Sequence, residues 1–339
     1  MAPTLTDVAK RANVALSTAS RAFSDPQRLG PETLRKVLEV AQELGYEPPP
    51  PRPAEGQAAL DTATVAVVVP DIANPVFGAF VKAAQTEGWH RRQTIVLADT
   101  DFDTDREREA IAHLRDRTAG LVVCSPRLDS EDVLALCGDT PVVVVNRETT
   151  TADCVLADAT DGLRQTIEYL AALGHRHLAY VQGSQHSWSN SHRVDLARSL
   201  AQQADIELEV LGWQSETVAG GTAAAAGVIA SGASAVIAHN DLVALGVIAG
   251  ARQLGVRVPD DLSVVGIDDM PLAASAYPSL STIAVPMGRA GALSIELLTQ
   301  SITGERQTPR TLRLPTQLVV RGSTGPVAAR TLPVTREHA

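Results

Sequence analysis

The sequence predicts an α/β protein: a small all-α head, then a long body of alternating strands and helices. Three observations carry this expectation. Apolar residues in 4–46 recur at helical spacing. The composition then breaks at PPPPRP, residues 48–53, and small or polar residues follow to Asp61, which makes a linker that is stiff in its proline part. From Thr64 onward short valine-rich runs alternate with helical stretches, the pattern of parallel sheets covered on both faces. The expected boundaries are 1–47 for the head, 48–62 for the linker and 63–339 for the body. Eight or more strand–helix units suit either two doubly wound lobes or one barrel, and periodicity does not choose between them.

In the head, a first helix covers about Thr6–Ala12, with Leu5, Val8 and Ala9 at helical spacing. Asn13 follows, and Asn tolerates the left-handed backbone of a tight turn. A second helix runs from about Leu16 to Phe23. A third opens at Pro31-Glu32, with proline at the first helical position and an acid in the first turn. It carries Leu34, Val37, Leu38, Ala41 and Leu44 on one face and stops at Gly45. In the body, strands are expected at Val65–Val69, Ile95–Ala98, Leu121–Cys124, Val142–Val145, Leu178–Val181, Glu209–Leu211, Ala235–Ala238 and Leu262–Gly266. Helices are expected near 75–90, 104–118, 160–173, 192–203, 217–230 and 241–254.

Composition narrows the function. Hydrophobic residues make up 45% of the 339 positions but aromatics only 3%, so the cores must be aliphatic. The net charge is −10, yet residues 1–60 hold seven basic and seven acidic side chains, so the whole negative excess lies beyond them. Any contact of the head with DNA must come from locally placed cations. Cys124, Cys137 and Cys154 have no CxxC spacing and read as buried thiols of a reducing compartment. The start, MAPTLTDVAKRANVA, has no apolar signal core, and no run of 18 apolar residues exists, so a cytoplasmic chain without a membrane partner is expected. His175, His177, His186, His192 and His239 lack ligand-like spacing, so neither metal nor cofactor is implied. PDIANP stands where a dinucleotide-binding GxGxxG would, and GxSxG, P-loop and HExxH motifs are missing, so the chain does not read as an enzyme.

The head has the form of a helix-turn-helix, TLTDVAKRANV then ALSTASRAF, whose second helix would enter a major groove. Leu16, Ser17 and Arg21 fall on or near its exposed face, with Val8, Val14, Ala19 and Ala22 inward. Serine and arginine can bond base edges or phosphates, and leucine can touch a thymine methyl. The same pattern suits a helical bundle that binds a protein or nothing. TLTDVAKRANVALSTASRAF followed by PETLRKVLEVAQELGYEP resembles the head of the LacI family of bacterial regulators. The family's turn and recognition helix are close to GVSxxTVSR. Asn13 stands for the glycine and Ala15 for the usual serine, while Thr18, Ser20 and Arg21 are kept. By this resemblance Thr6, Leu16, Ser17, Thr18, Ser20 and Arg21 are the expected DNA-binding residues.

The resemblance continues through VVVPDIANPVFGAF, GHRHLAYVQG, HNDLVALGV, GVRVPDDLSVVGIDD, LSTI and LPTQLVVRGST, in family order. It implies a body like the type I periplasmic sugar-binding proteins: two doubly wound parallel-sheet lobes, crossed by the chain near 159, 284 and 317. The lobes would be about 63–158 with 285–316, and about 159–283 with 317–339. It further implies a homodimer on a near-palindromic operator, and a repressor whose grip on double-stranded DNA depends on a sugar, polyol or nucleoside. A solute-binding protein, and a regulator with impaired DNA binding, are the competing readings.

In open α/β sheets ligands bind beyond the carboxyl ends of the strands. Polar and aromatic residues in those places are Asn74, Phe77, Asp99, Arg147 and Asp161 in the first half, and Trp188, Arg193, Trp213, Asn240 and Asp268 in the second. Carboxylates accept from hydroxyls, Arg and Asn donate, and Trp packs on a sugar's C–H face. The resemblance matches Asp161, Arg193, Trp213, Asn240 and Asp268 best, adds Ser189, and sets Asn74 and Phe77 in an NPxF loop. Plainer roles stand beside these: a helix cap for Asn240, core packing for Trp188 or Trp213, a solvated loop charge for Asp99. Arg193 is expected at the opening of a helix, where a cation opposes the dipole unless it has a partner.

The linker departs from the family. A hinge helix with a minor-groove leucine is expected at about 49–57, yet Pro49, Pro50, Pro51 and Pro53 cannot support helical hydrogen bonding, and Glu55 stands where the leucine belongs. Weak operator bending follows as an expectation. The tail TLPVTREHA lacks heptads for a tetramerising coiled coil.

Overall fold

A computed structural model describes residues 3–24, 29–46, 64–305 and 308–327. The proline-rich hinge reading and the tail 331–339 lie outside the described residues.

The chain divides into two compact units, 1–61 and 62–339. In the first, helix α1 (Leu5–Ala12) is started by a reciprocal cap: Asp7 N–H donates to the Thr4 hydroxyl at 3.4 Å and Thr4 N–H donates to the Asp7 carboxylate at 2.9 Å. Asn13 takes the left-handed conformation, φ 50°, and turns the chain into α2 (Leu16–Ser24). The amides of Thr18 and Ala19 bond the Ala15 carbonyl, so Ala15 holds the cap position with a methyl that cannot accept a bond. Helix α3 (Pro31–Leu44) ends at Gly45, φ 65°. Val8, Ala9, Ala12, Ala19, Ala22, Val37 and Ala41 are buried together as the head's core.

The second unit begins with β1 (Thr64–Val69), α4 (Pro75–His90), β2 (Thr94–Asp99), α5 (Thr104–Arg115), β3 (Leu121–Cys124), α6 (Ser130–Cys137), β4 (Val142–Val145) and β5 (Asp153–Asp158). It continues with α7 (Thr160–Ala172), β6 (His177–Val181), α8 (Trp188–Gln203), β7 (Glu207–Val210), α9 (Val218–Ser231), β8 (Ala235–Ala238) and α10 (Asp241–Gln253). The last elements are β9 (Ser263–Asp268), α11 (Pro271–Ser275), β10 (Ser281–Ala284), α12 (Met287–Ile302), β11 (Thr311–Pro315) and β12 (Gln317–Val319).

These strands form two six-stranded sheets, ordered β11-β5-β4-β3-β1-β2 and β12-β10-β9-β8-β6-β7. Pairing is parallel except between β10 and β12. Two sheets, not one barrel, answer the choice that periodicity left open. Each sheet is buried on both faces. On one face of the first, Val65, Val67 and Val69 pack with Phe80 and Leu298 of α4 and α12; on the other, Ala66 and Val68 pack with Ile111 and Val133 of α5 and α6. The edge strands are less covered, and β2 leaves Val96 and Leu97 partly exposed.

The chain passes between the sheets after β5, after β10 and between β11 and β12. Two crossings are tied together: the Thr316 hydroxyl donates to the Asp158 carbonyl at 2.8 Å and accepts from Gly162 N–H at 3.2 Å. One expected start moves in a way that matters for the site. Helix α8 begins at Trp188 rather than near 192, because Ser187 caps it by accepting from Asn190 N–H at 3.2 Å. Arg193 therefore sits in the second turn and does not open the helix.

Candidate functional site

Two surfaces are defined by these elements. In the head, Thr6 lies on α1 and Leu16, Ser17, Thr18, Ser20 and Arg21 on α2. Thr6, Ser17, Ser20 and Arg21 are exposed, Leu16 is 50% exposed and Thr18 is half-buried. An exposed leucine beside serines and an arginine, on a helix whose other side is alanine, presents both donors and an apolar contact to a groove.

The second surface is a narrow cleft between the loops of the two sheets. Asn74, Phe77, Ser125 and Asn146 reach it from the first sheet, and Ser189, Arg193, Asn240 and Asp268 from the second. Ser125, Asn146 and Asp268 directly follow or end strands with φ of 48°, 54° and 126°. Backbone held in that region by non-glycine residues is costly and aims side chains that an ordinary strand end would not.

Hydrogen bonds fix the lining. Asn74 caps α4, accepting from Val76 N–H at 3.2 Å. Asn240 caps α10, accepting from Val243 N–H at 2.8 Å, while its amide donates to the Glu216 carbonyl at 3.3 Å. Its capping role and its place in the cavity coexist. Arg193 is buried and donates to the His239 carbonyl at 3.0 Å. Ser189 reaches across the cleft and donates to the Asn146 carbonyl at 3.2 Å.

The electrostatics are uneven. Burial pushes the Asp268 carboxyl well above the usual range, opposed by the Arg193 guanidinium. Glu216 goes the other way: burial alone would raise it, but His239 and Arg127 together hold it below its ordinary value. Burial lowers His239 against the pull of Glu216, 3.6 Å away. His239 Nδ1, Arg127 Nε and the Tyr180 hydroxyl are buried without a partner among the described residues. A cavity walled by opposed charges, amides and hydroxyls, with Phe77 as its aromatic, suits a small polyhydroxylated molecule.

Several expected residues stand elsewhere. Asp99 is exposed and accepts the amides of Ile72 and Asp101, each at 3.0 Å, which is loop bracing. Arg147 is buried but turned to Asp129 and the Pro126 carbonyl. Asp161 is exposed and pairs with Arg164 at 3.2 Å. Trp188 stacks on His192, centroids 4.9 Å apart, and Trp213 is 59% exposed. None of these five lines the cavity. Conversely, Ser125, Arg127, Asn146, Glu216 and His239 line it and were not singled out. Four of them obey the same rule as the others, lying just past β3, β4 or β8. Glu216 lies in the loop before α9, where strand-end position gives no signal.

Comparison with known proteins agrees with this geometry. Residues 4–49 match the model for bacterial regulatory proteins of the lacI family, and residues 167–324 match a periplasmic binding protein-like domain. The chain is 30% identical to the HTH-type transcriptional regulator reg1 of Streptomyces lividans over 96% of its own length and 97% of that protein. It is 27% identical to the HTH-type transcriptional regulator DegA of Bacillus subtilis, covering 96% and 99%. Among solved structures it resembles a lac repressor dimer bound to operator and the anti-inducer ONPF (TM-score 0.73, 26% identity, 96% and 100% covered). It also resembles a LacI family regulator from Enterococcus faecium with bound ribose (TM-score 0.70, 26% identity, 78% and 99% covered). A third likeness is to the regulator CelR with cellobiose (TM-score 0.70, 28% identity, 95% and 99% covered).

Proposed function

The chain belongs to the LacI family of bacterial regulatory proteins, and from that membership we propose that it is a transcriptional repressor whose grip on an operator is set by a sugar bound between its two lobes. It works as a homodimer in the cytoplasm, because paired recognition helices match a near-palindromic site. It performs no chemistry on its ligand. Supporting this is one observation above others: Arg193, Asn240 and Asp268 of one lobe and Asn74 and Phe77 of the other line a single polar cleft. Arg193 and the Asn74 amide donate to ligand hydroxyls, Asp268 accepts or donates according to its proton, and Phe77 packs on the ring. Thr6, Leu16, Ser17, Thr18, Ser20 and Arg21 contact DNA. A sugar that favours one lobe arrangement shifts operator affinity by its differential binding alone.

The test is a gel shift of the full-length protein on its own upstream DNA, with and without a sugar panel. A retarded complex that resists competitor DNA and changes in affinity with one sugar is expected. Retardation equal on any sequence, or indifferent to every sugar that binds the protein, overturns the proposal.

A further inference from the structure

The two lobes hold each other across the cleft. Arg127, in the loop after β3 of the first lobe, donates through Nη2 to both carboxylate oxygens of Glu216, in the loop before α9 of the second, at 3.0 and 2.9 Å. The side chains are 3% and 5% exposed. The bond from Ser189 to the Asn146 carbonyl spans the same cleft. Each half of the pair is fixed to its own lobe. The buried Glu107 accepts the backbone amides of Arg127 at 2.9 Å and Leu128 at 3.3 Å, and the Arg127 guanidinium lies 4.9 Å over the Phe102 ring. On the other side, Ser184 N–H donates to the Glu216 carboxylate at 3.3 Å, and the Glu216 carbonyl accepts from the Asn240 amide. When the lobes move apart, the division therefore falls between Arg127 and Glu216.

The energetics permit that division. A buried ion pair sets its Coulomb attraction against the lost hydration of two charges, and the two terms come close to balance. Parting lobes admit water to both side chains, so neither charge is left dry. With the pair formed, the cleft has a cavity volume of about 40 Å³. That is little more than one water's share of the liquid, about 30 Å³, and far below the roughly 300–1,000 Å³ of small-molecule sites. A sugar cannot enter this lobe arrangement, and the same pair that lines the cleft keeps it shut.

We propose that the Arg127–Glu216 pair is an autoinhibitory latch: it closes the effector cleft on itself, and an effector enters only by parting it. The competition with sugar rests on the sugar-effector reading, whereas closure of the cleft by the pair does not. The latch reduces the share of molecules open to ligand, and sugar association slows by that share.

Two measurements on the full-length protein test this, with Arg127→Met plus Glu216→Gln as the variant that removes both charges and orphans neither. The first needs no ligand. Hydrogen exchange in peptides 72–78 and 186–193, which line the cleft from opposite lobes and carry no substitution, should be at least about tenfold faster than in wild type. The second is stopped-flow binding of ribose, glucose, galactose and cellobiose, where association should be at least about tenfold faster in the variant. A mere ligand contact would change release instead. If the double variant does not melt cooperatively, Glu216→Gln alone keeps the bulk, leaves Arg127 without its anion in the closed cleft, and should shift both readouts the same way. Unchanged exchange in a folded variant overturns the latch, whether or not a sugar binds. Faster exchange with unchanged sugar association overturns its competition with the effector. If none of the four sugars binds either protein, the sugar reading falls and the exchange result alone decides the latch.

Discussion

Asp241 and Glu216 are buried carboxyls with opposite responses to protons, and what faces them decides the difference. Asp241 accepts from the Thr282 hydroxyl at 2.5 Å and from Met270 N–H at 2.9 Å, but burial outweighs these bonds and raises its pKa from 3.8 to about 7. The folded state therefore holds a proton that the unfolded state releases. That contribution is full below 3.8 and is lost as pH rises through about 7. Glu216 is depressed, so its contribution is present above the ordinary carboxylate range and lost as pH falls through its folded value. Denaturant unfolding across that window should show Asp241→Asn with a flatter pH dependence than wild type, by roughly 4 kcal/mol at most. An unchanged slope would show that Asp241 stays ionised. Arg193 gives a second prediction at this scale. Its loss removes a charge-assisted bond worth about 1.5–3 kcal/mol, so Arg193→Ala should weaken sugar binding about 10- to 100-fold. At fixed ligand concentration the ligand-induced rise in melting temperature should shrink accordingly, while the ligand-free melt remains cooperative.

Helices α9 and α10 meet along glycines. A methyl at Gly246 would lie 2.1 Å from the Val218 carbonyl, and one at Gly221 would lie 2.0 Å from that of Val243. These obstacles are backbone atoms, so the helices must part. Gly246→Ala should cost about 1–3 kcal/mol and lower the melting temperature by about 2–10 °C in a domain of this size, read by calorimetry. In α2, Arg21→Ala should abolish specific operator retention and leave sugar binding intact. If Arg21 meets a phosphate, the salt slope should also fall by about one. Elements differ in how readily the sequence betrays them. The valine runs of β1, β3 and β4 were plain because strands buried on both faces are continuously apolar. DCVLAD and TLRLP mix charge into their runs, and β5 and β11 escaped notice at the sheet's far side. The start of α8 was misplaced because SQHSWSN carries no early apolar stripe, and its first turn is set by the Ser187 cap. Five expected site residues missed the cavity for a related reason: strand order says which loops converge, but not which way a side chain turns once a nearer partner such as Asp129 or Arg164 takes it.

Taken whole, the protein carries its negative excess outside the first 60 residues, with a head that is neutral overall. Operator binding must then rest on short-range contacts against a repelling body, and it should be sensitive to salt. A dimer whose heads touch six to ten phosphates should lose about 10³–10⁵ in affinity between 50 and 200 mM salt, measured by titrated gel shift. A nearly flat response would rule out that mode of binding. The two-sheet architecture came from motif order, since strand–helix alternation alone served a barrel equally well.

The three crossings also govern how the protein can be made. The first sheet receives α12 and its edge strand β11 only after every strand of the second sheet except β12 has been synthesised. Until then Val65 and Val67 lack the cover of Ile295, Leu297 and Leu298. On the ribosome, the lobe that emerges first is completed last. A nascent chain stalled before α12 shows a half-covered apolar face, the kind of surface that chaperones hold and proteases clear.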